Sequence, residues 1–140
     1  MQPTESAARL RLSATRLARR LRHEADAGLT PSQLSALAVI HHHGPLTLGA
    51  LAEREGVAPP SITKIVNNLE EQGLVARTGD PDDRRVTRVA TSDAGDRLVI
   101  ESRRRKTAWL AGRIGQLDAD QQRRLADALD VLDLLTEEPS

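Results

Sequence analysis

The stretch Leu51-Ala52-Glu53-Arg54-Glu55-Gly56-Val57-Ala58-Pro59-Pro60-Ser61-Ile62 decides how this sequence is read. Two helices that cross through a tight turn need three residue types at fixed spacing. A small side chain must sit where the helices touch, and Ala52 supplies it. A residue tolerant of left-handed backbone must open the turn, and Gly56 stands four positions on. A branched apolar side chain must pack the second helix back on the first, and Ile62 lies six positions further. Together these specify a helix-turn-helix, a unit whose second helix can enter the major groove of duplex DNA.

The second helix divides cleanly at helical spacing. Ile62, Ile65, Val66 and Leu69 are expected to face inward. Pro60, Ser61, Thr63, Lys64, Asn67 and Asn68 are left outside or partly outside, and no acid interrupts them before Glu70 and Glu71. Short hydroxyl and amide side chains with one cation suit base edges and phosphates. Beyond Gly73, which suits a left-handed helix cap, Leu74–Arg77 and Val86–Ala90 read as two short strands. The turn-rich Thr78–Arg85 between them makes a hairpin with a charged tip. Arg84 and Arg85 sit at that tip, and arginine suits a narrow minor groove, where negative potential is concentrated. Asp83 is placed to lock a guanidinium by a bidentate pair.

Outward from this centre the chain is helical. A first helix is expected over roughly Glu5 to Ala27, with Leu10, Ala14, Leu17 and Leu21 as one apolar stripe and Gly28 ending it. Thr30-Pro31-Ser32-Gln33 is a capping-box start for a second helix. It carries Leu34, Leu37, Ala38 and His41 on one face and stops at Gly44-Pro45. A third runs from Thr47 or Leu48 to Gly56, and a fourth from Pro59 to Gln72. A fifth, capped by Thr91 or Ser92, passes through Trp109 to about Leu117, its last turns weakened by Gly112 and Gly115. A sixth starts near Asp118 with Leu125, Leu129, Leu132 and Leu135 on one side, and Glu138-Pro139-Ser140 should fray. The fold class expected is mainly α with a small β-hairpin wing, an α+β winged helix-turn-helix with flanking helices. Residues 1–140 form one domain in this reading, with 30–95 as a DNA-binding lobe and 5–28 and 96–137 as dimerisation helices.

Composition narrows the function classes. The chain of 140 residues has no Phe, no Tyr and one Trp, so Leu, Val, Ile and Ala must build the core. Without cysteine there are no disulfides, no thiol redox sensing and no Cys-based zinc site. Formal net charge is zero, which argues against a bulk polycation but not against a local basic surface. Charge is segregated: Arg9 to Arg22 and Arg103-Arg104-Arg105-Lys106 are basic, while Asp118, Asp120, Asp127, Asp130, Asp133, Glu137 and Glu138 make the tail acidic. Such runs fit solvated helix faces, or an acidic tail helix paired with basic helices within or between chains. No apolar leader and no run near the ~18 residues of a membrane span is visible, so a cytoplasmic protein with no membrane contact is expected. A nucleophile elbow, a phosphate-binding glycine loop and a metal-ligand pair on one helix face are all missing from the sequence, so no enzyme, cofactor or metal is expected. Two other readings stay open: a winged-helix module that docks a protein partner, and a DNA-binding regulator with no small-molecule effector.

The residues Leu29-Thr30-x-x-Gln33-x-x-Ala36-Leu37, Leu48-Gly49-Ala50-Leu51-Ala52, Pro60-Ser61-Ile62-Thr63-Lys64-Ile65-Val66-x-x-Leu69-Glu70 and Glu71-Gln72-Gly73-Leu74-Val75-x-Arg77 follow one another here. With Asp80-Pro81-x-Asp83-Arg84-Arg85 at the hairpin, they resemble the MarR family of bacterial transcriptional regulators. The resemblance implies a homodimer in which the first and last two helices interlock. It further implies a recognition helix in the major groove of double-stranded DNA and Arg85 in the minor groove, oriented by Asp83. Arg77 would lie near phosphates or support the wing. Most members are repressors released by a small aromatic or anionic effector, and His41 and Trp109 are the candidate pocket residues. Family members that sense oxidation use cysteine, which excludes that mode here. His41, His42 and His43 point about 100° apart on a helix and cannot all face one metal, so none is assigned to metal. Pro59-Pro60 departs from the usual start of the recognition helix.

Overall fold

The computed structural model describes residues 1–25 and 27–137. The expected fraying of Glu138, Pro139 and Ser140 lies outside the described residues. The chain runs α1 (Pro3–Glu24), α2 (Pro31–His43), β1 (Leu46–Thr47), α3 (Leu48–Glu55), α4 (Pro59–Glu71), β2 (Val75–Gly79), β3 (Thr87–Thr91), α5 (Asp93–Gly115) and α6 (Ala119–Thr136). All six expected helices form, as does the hairpin. The mainly α class with a small antiparallel wing is therefore the observed one. No helix is long and apolar enough to cross a membrane among the described residues.

Local chemistry accounts for most boundaries. Thr30 caps α2 by accepting from the Gln33 amide, and the Gln33 side chain accepts from the Thr30 amide in return, a full capping box. Asp118 and Gln121 repeat the device at α6. Between α3 and α4, Gly56 takes φ 65°, the left-handed region, and Val57 donates back to the Ala52 carbonyl at 3.1 Å. Ala52 is buried at the crossing and Ile62 is fully enclosed. The three conditions read from the sequence are thus met in space.

The sheet has three strands in the order β1-β3-β2, all antiparallel. The sequence reading gave two. Leu46–Thr47 is too short to show a period of two, and it becomes a strand because Leu46 and Thr47 pair with Val89 and Arg88. The core is aliphatic throughout, and Leu37, Ile40, Leu51, Ile62, Val66, Leu69, Val89 and Val99 are all but inaccessible. Each such side chain contributes about 1.5–3 kcal/mol relative to exposure. This core joins α2, α3, α4, the sheet and the start of α5.

The outer helices behave differently. α1 packs on α5, yet neither α1 nor α6 buries a single described residue. On α6, Leu129, Val131, Leu134 and Leu135 are 50–65% exposed. A helix with that much apolar surface in water lacks the layer it was built to pack on.

One contact sets how α5 meets the α4–β2 turn. A Cβ on Gly95, in the first turn of α5, would stand 2.1 Å from the Leu74 carbonyl oxygen and 3.1 Å from its carbon. Gly95→Ala should therefore push α5 off the α4–β2 turn and destabilise the chain by about 1–3 kcal/mol. Urea unfolding would show this as a lower midpoint at unchanged slope. An unaltered midpoint would mean that the joint yields freely.

Candidate nucleic-acid interface

α4 turns its apolar face into the core through Ile62, Val66 and Leu69, with Ile65 partly covered at the edge. Pro60, Ser61, Thr63, Lys64 and Asn67 are exposed, and Asn68 is half-buried. Not all of them are equally free. Thr63 Oγ1 donates to the Pro59 carbonyl at 3.0 Å, leaving its lone pairs outward. Asn67 Oδ1 accepts from Arg77 and Asn68 Oδ1 accepts from Gln72, so these amides offer chiefly their NH₂ donors. Ser61 and Lys64 have no side-chain hydrogen bond or ion pair among the described residues. They are the most available groups on the face.

The wing stands beside this face because Gly73, with φ 73°, ends α4 and turns the chain straight into β2. Arg77 fixes the angle from the β2 side. Its Nη2 donates to Asn67, while its Nε is shielded from solvent and lies 3.6 Å from Glu70 Oε2, beyond hydrogen-bond range. Of the two expectations for Arg77, phosphate contact or wing support, this geometry is that of support. Glu70 belongs to the same brace, and the sequence reading had used it only as the end of the acid-free face.

At the tip, two carboxylates act as acceptor hubs. Asp80 Oδ1 accepts from the amides of Asp82 at 2.7 Å and Asp83 at 3.2 Å, an Asx-type turn. Its Oδ2 accepts from Arg88 on β3. Asp83 accepts from the Arg85 amide at 3.0 Å, from Nε at 3.2 Å and from Nη2 at 3.3 Å. This is the bidentate clamp read from the sequence, and the Arg85 side chain remains 91% exposed within it. Arg84 points to solvent beside it. The hydrogen bond from Arg88 holds the Asp80 carboxyl below the ordinary carboxylate range, and that from Arg85 does the same for Asp83. Asp80 and Arg88 escaped the sequence reading as functional groups. The signal was an Asp two and three residues ahead of amides that need a partner.

The two residues assigned to an effector pocket are not brought together. His41 Nδ1 lies 2.8 Å from Asp96 Oδ1, and Asp96 also accepts from Thr91, so His41 ties α2 to the β3–α5 corner. The hydrogen bonds from Thr91 and then His41 hold Asp96 below its ordinary range. Trp109 is thirteen residues along α5 from Asp96, about 20 Å at 1.5 Å per residue, in a groove against α1. The other two histidines of the triplet turn away from His41 toward α3: His43 Nε2 sits 3.3 Å from Arg54, and His42 meets His43 edge to face rather than diverging from it. The sequence reading missed a larger cleft. A cavity of about 950 Å³ opens between the C-terminal half of α1, the start of α2 and the turn before α4. Leu29, Leu34 and Ile65 line it together with Arg22 and Lys106.

Comparison with known proteins agrees with this geometry. The MarR family model matches residues 29–87. A protein of Mycobacterium leprae named as an uncharacterised HTH-type transcriptional regulator is 40% identical over 93% of this chain and 92% of its own. The crystal structure of a putative transcriptional regulator from Pseudomonas aeruginosa superposes with a TM-score of 0.85 at 33% identity, covering 97% of this chain and 96% of that one. A mutant of MepR from Staphylococcus aureus bound to an oligodeoxyribonucleotide shares the fold, with a TM-score of 0.73 at 18% identity over 94% of this chain and 98% of that one. The chain therefore belongs to the MarR family: it is a DNA-binding, winged helix-turn-helix transcriptional regulator and not an enzyme.

Proposed function

We propose that this regulator is a homodimer that grips a near-palindromic operator in the cytoplasm and acts as a ligand-responsive repressor. The observation that carries the reading is the exposed Arg85 clamped by Asp83 on a wing braced against α4, where Ser61 and Lys64 stand free. Residues 30–95 act as the reading lobe in this proposal. Ser61, Thr63, Lys64, Asn67 and Asn68 face the major groove with Pro60 at the helix entry, and Arg84 and Arg85 face the minor groove. A guanidinium already held in place loses less freedom on entering a groove, so the clamp raises affinity without adding a contact. Residues 5–28 and 96–137 supply the dimer, supported by the uncovered apolar face of α6. Two-fold symmetry then sets half-sites about one helical turn, ~10 bp, apart.

The cleft of about 950 Å³ is the better candidate for an effector than the His41–Trp109 pair. It touches α1 and Lys106 of α5 on one side and Ile65 of the recognition helix on the other. Its lining of Leu29, Leu34, Val57 and Ile65 with Arg19, Arg22 and Lys106, set against the single acid Glu55, suits a small aromatic anion. Such a ligand alters DNA binding only if it fits one spacing of the two recognition helices better than another.

A fluorescence-anisotropy titration with the intergenic DNA upstream of its own gene tests the proposal. Affinity should fall steeply between about 50 and 200 mM salt, and operator should be favoured over random duplex by about 10³ or more. Equal binding to any duplex would favour a winged helix that docks a protein partner. Arg85→Ala should cost about 1–3 kcal/mol of binding with unchanged thermal stability. Asp83→Asn, which leaves the Arg85 charge in place but loosens its clamp, should cost less. Lys64→Ala should change base preference if it meets a base edge, and weaken all sequences alike if it meets phosphate.

The wing and the β3–α5 corner also carry a pH signature. Asp80, Asp83 and Asp96 are held below their ordinary value of 3.8, so folding keeps them ionised more readily than the unfolded chain does. Their contribution is fully present above that value and is lost as pH falls through the lower folded-state values. Melting followed by circular dichroism from about pH 5 to about pH 2 should therefore fall less steeply in Asp80→Asn than in wild type. Parallel curves would show that the Asp80 hub adds nothing to the fold.

A further inference from the structure

Three side-chain amides around one recess have their carbonyl ends already engaged. Thr30 and Gln33 at the start of α2, with Lys64, Asn67 and Asn68 on α4, border a recess of about 350 Å³ between the two helices. Gln33 Oε1 accepts from the Thr30 amide at 3.0 Å, and Asn67 Oδ1 accepts from Arg77. A backbone N–H and a guanidinium can only donate, so both amide orientations are forced. Asn68 Oδ1 accepts from Gln72. All three NH₂ groups are then left without an acceptor among the described residues. Thr30 Oγ1 accepts from the Gln33 amide at 3.2 Å, which leaves its hydroxyl hydrogen to donate as well.

Lys64 adds an ammonium to these donors. It pairs with no carboxylate among the described residues, although Glu71 lines the same recess two turns along α4. Donors gathered from two helices around one cation suit an oxoanion. The single ammonium offsets one negative charge, and Glu71 opposes a second. Position says which oxoanion this is. The major groove of B-DNA, about 12 Å wide, admits one helix about 10–12 Å across. With α4 inside the groove, α2 stays at its rim, where the sugar–phosphate backbone runs. A recess walled by both helices therefore meets the rim and not the base edges.

We propose that this recess seats one backbone phosphate of each operator half-site, held by Lys64 of α4 and Gln33 of α2. This rests on the reading above that α4 enters the major groove. It takes Lys64 out of the base-reading set and gives Gln33 a task beyond capping α2. A phosphodiester carries one charge, which matches the one ammonium. Its grip is the same on every sequence, so the seat sets register and affinity but not base choice.

The test turns on Gln33→Glu. Glutamate completes a capping box as glutamine does, so α2 keeps its start while a donor in the recess becomes a carboxylate. In anisotropy titrations of the full chain, Gln33→Glu and Lys64→Ala should each weaken operator and random duplex alike by about tenfold, with thermal melting unchanged. Lys64→Ala should also lower the slope of log affinity against log salt by about one per copy bound. Glu71→Gln should tighten both duplexes. Long-range repulsion alone also weakens binding, so operators carrying one neutral methylphosphonate at a time locate the contact. Wild type should lose most at one position in each half-site, and Gln33→Glu should lose nothing more there. Inorganic phosphate at matched ionic strength should displace no more duplex than chloride does. Displacement beyond that, absent in Gln33→Glu, would make the recess a site for a free oxoanion and overturn its assignment to the backbone. A Gln33→Glu chain as sensitive as wild type at that position, or a Lys64→Ala chain with altered base preference, overturns the seat and leaves α4 in the groove. A wild-type chain that shows no preference for operator overturns the groove reading itself.

Discussion

Four backbone and side-chain contacts converge on Gly73 and Leu74, and the rest of the molecule is arranged around them. Leu74 N donates to the Leu69 carbonyl at 3.0 Å, which closes the end of α4. The Leu74 carbonyl in turn accepts from the Ser92 amide at 3.0 Å. Ser92 Oγ donates to the Gly73 carbonyl at 2.6 Å and accepts from the Gly95 amide at 3.1 Å as the cap of α5. Gly95 has no side chain because the Leu74 carbonyl occupies that space. Recognition helix, wing and long helix thus meet at one dipeptide with every polar group satisfied. Their mutual angles follow from hydrogen bonds rather than from loosely packed side chains.

That joint explains why a neutral chain can present a basic reading surface. The wing begins two residues after the left-handed Gly73, so its direction is fixed by the end of α4, and Arg77 on β2 ties the wing to that helix by donating to Asn67. Two of the three acids at the tip are spent locally. Asp80 closes the turn and holds Arg88, and Asp83 orients Arg85. Exposed pairs of this kind add little stability, so their effect lies in pre-ordering. Four further aspartates stand on α6, well beyond α4 in sequence.

What could be read from the sequence was whatever depends on local spacing. Ala52, Gly56 and Ile62 are diagnostic because a tight helix crossing admits few residue types at those places. Thr30 with Gln33, and Ser92 before the fifth helix, announce helix starts by the donors they satisfy. Asp83 with Arg85 is a contact across two residues and needs no tertiary information. The unread features all depend on long-range encounter. β1 exists only because Val89 and Arg88 arrive beside Leu46 and Thr47. His41 looked like a pocket wall because its partner Asp96 is fifty-five residues away. The cleft between α1 and α2 is made of ordinary apolar residues, which give no sign of a void until the helices are placed.

The same division bears on the ligand response proposed above. The α5 side of the reading lobe is bound tightly through Ser92, Gly95 and the His41–Asp96 pair, which joins α2 to the same corner. The α1 side is open, with the large cleft between α1 and the helix-turn-helix. A lobe held firmly at one edge and loosely at the other can pivot about the firm edge. In the homodimer proposed above, that pivot would change the distance between the two recognition helices while leaving each wing braced on its own helix. A shift of a few ångströms there takes one half-site out of register, because the groove repeats only every helical turn. The rigid joint that makes the reading surface is therefore also the axis on which a ligand in the cleft would have to act.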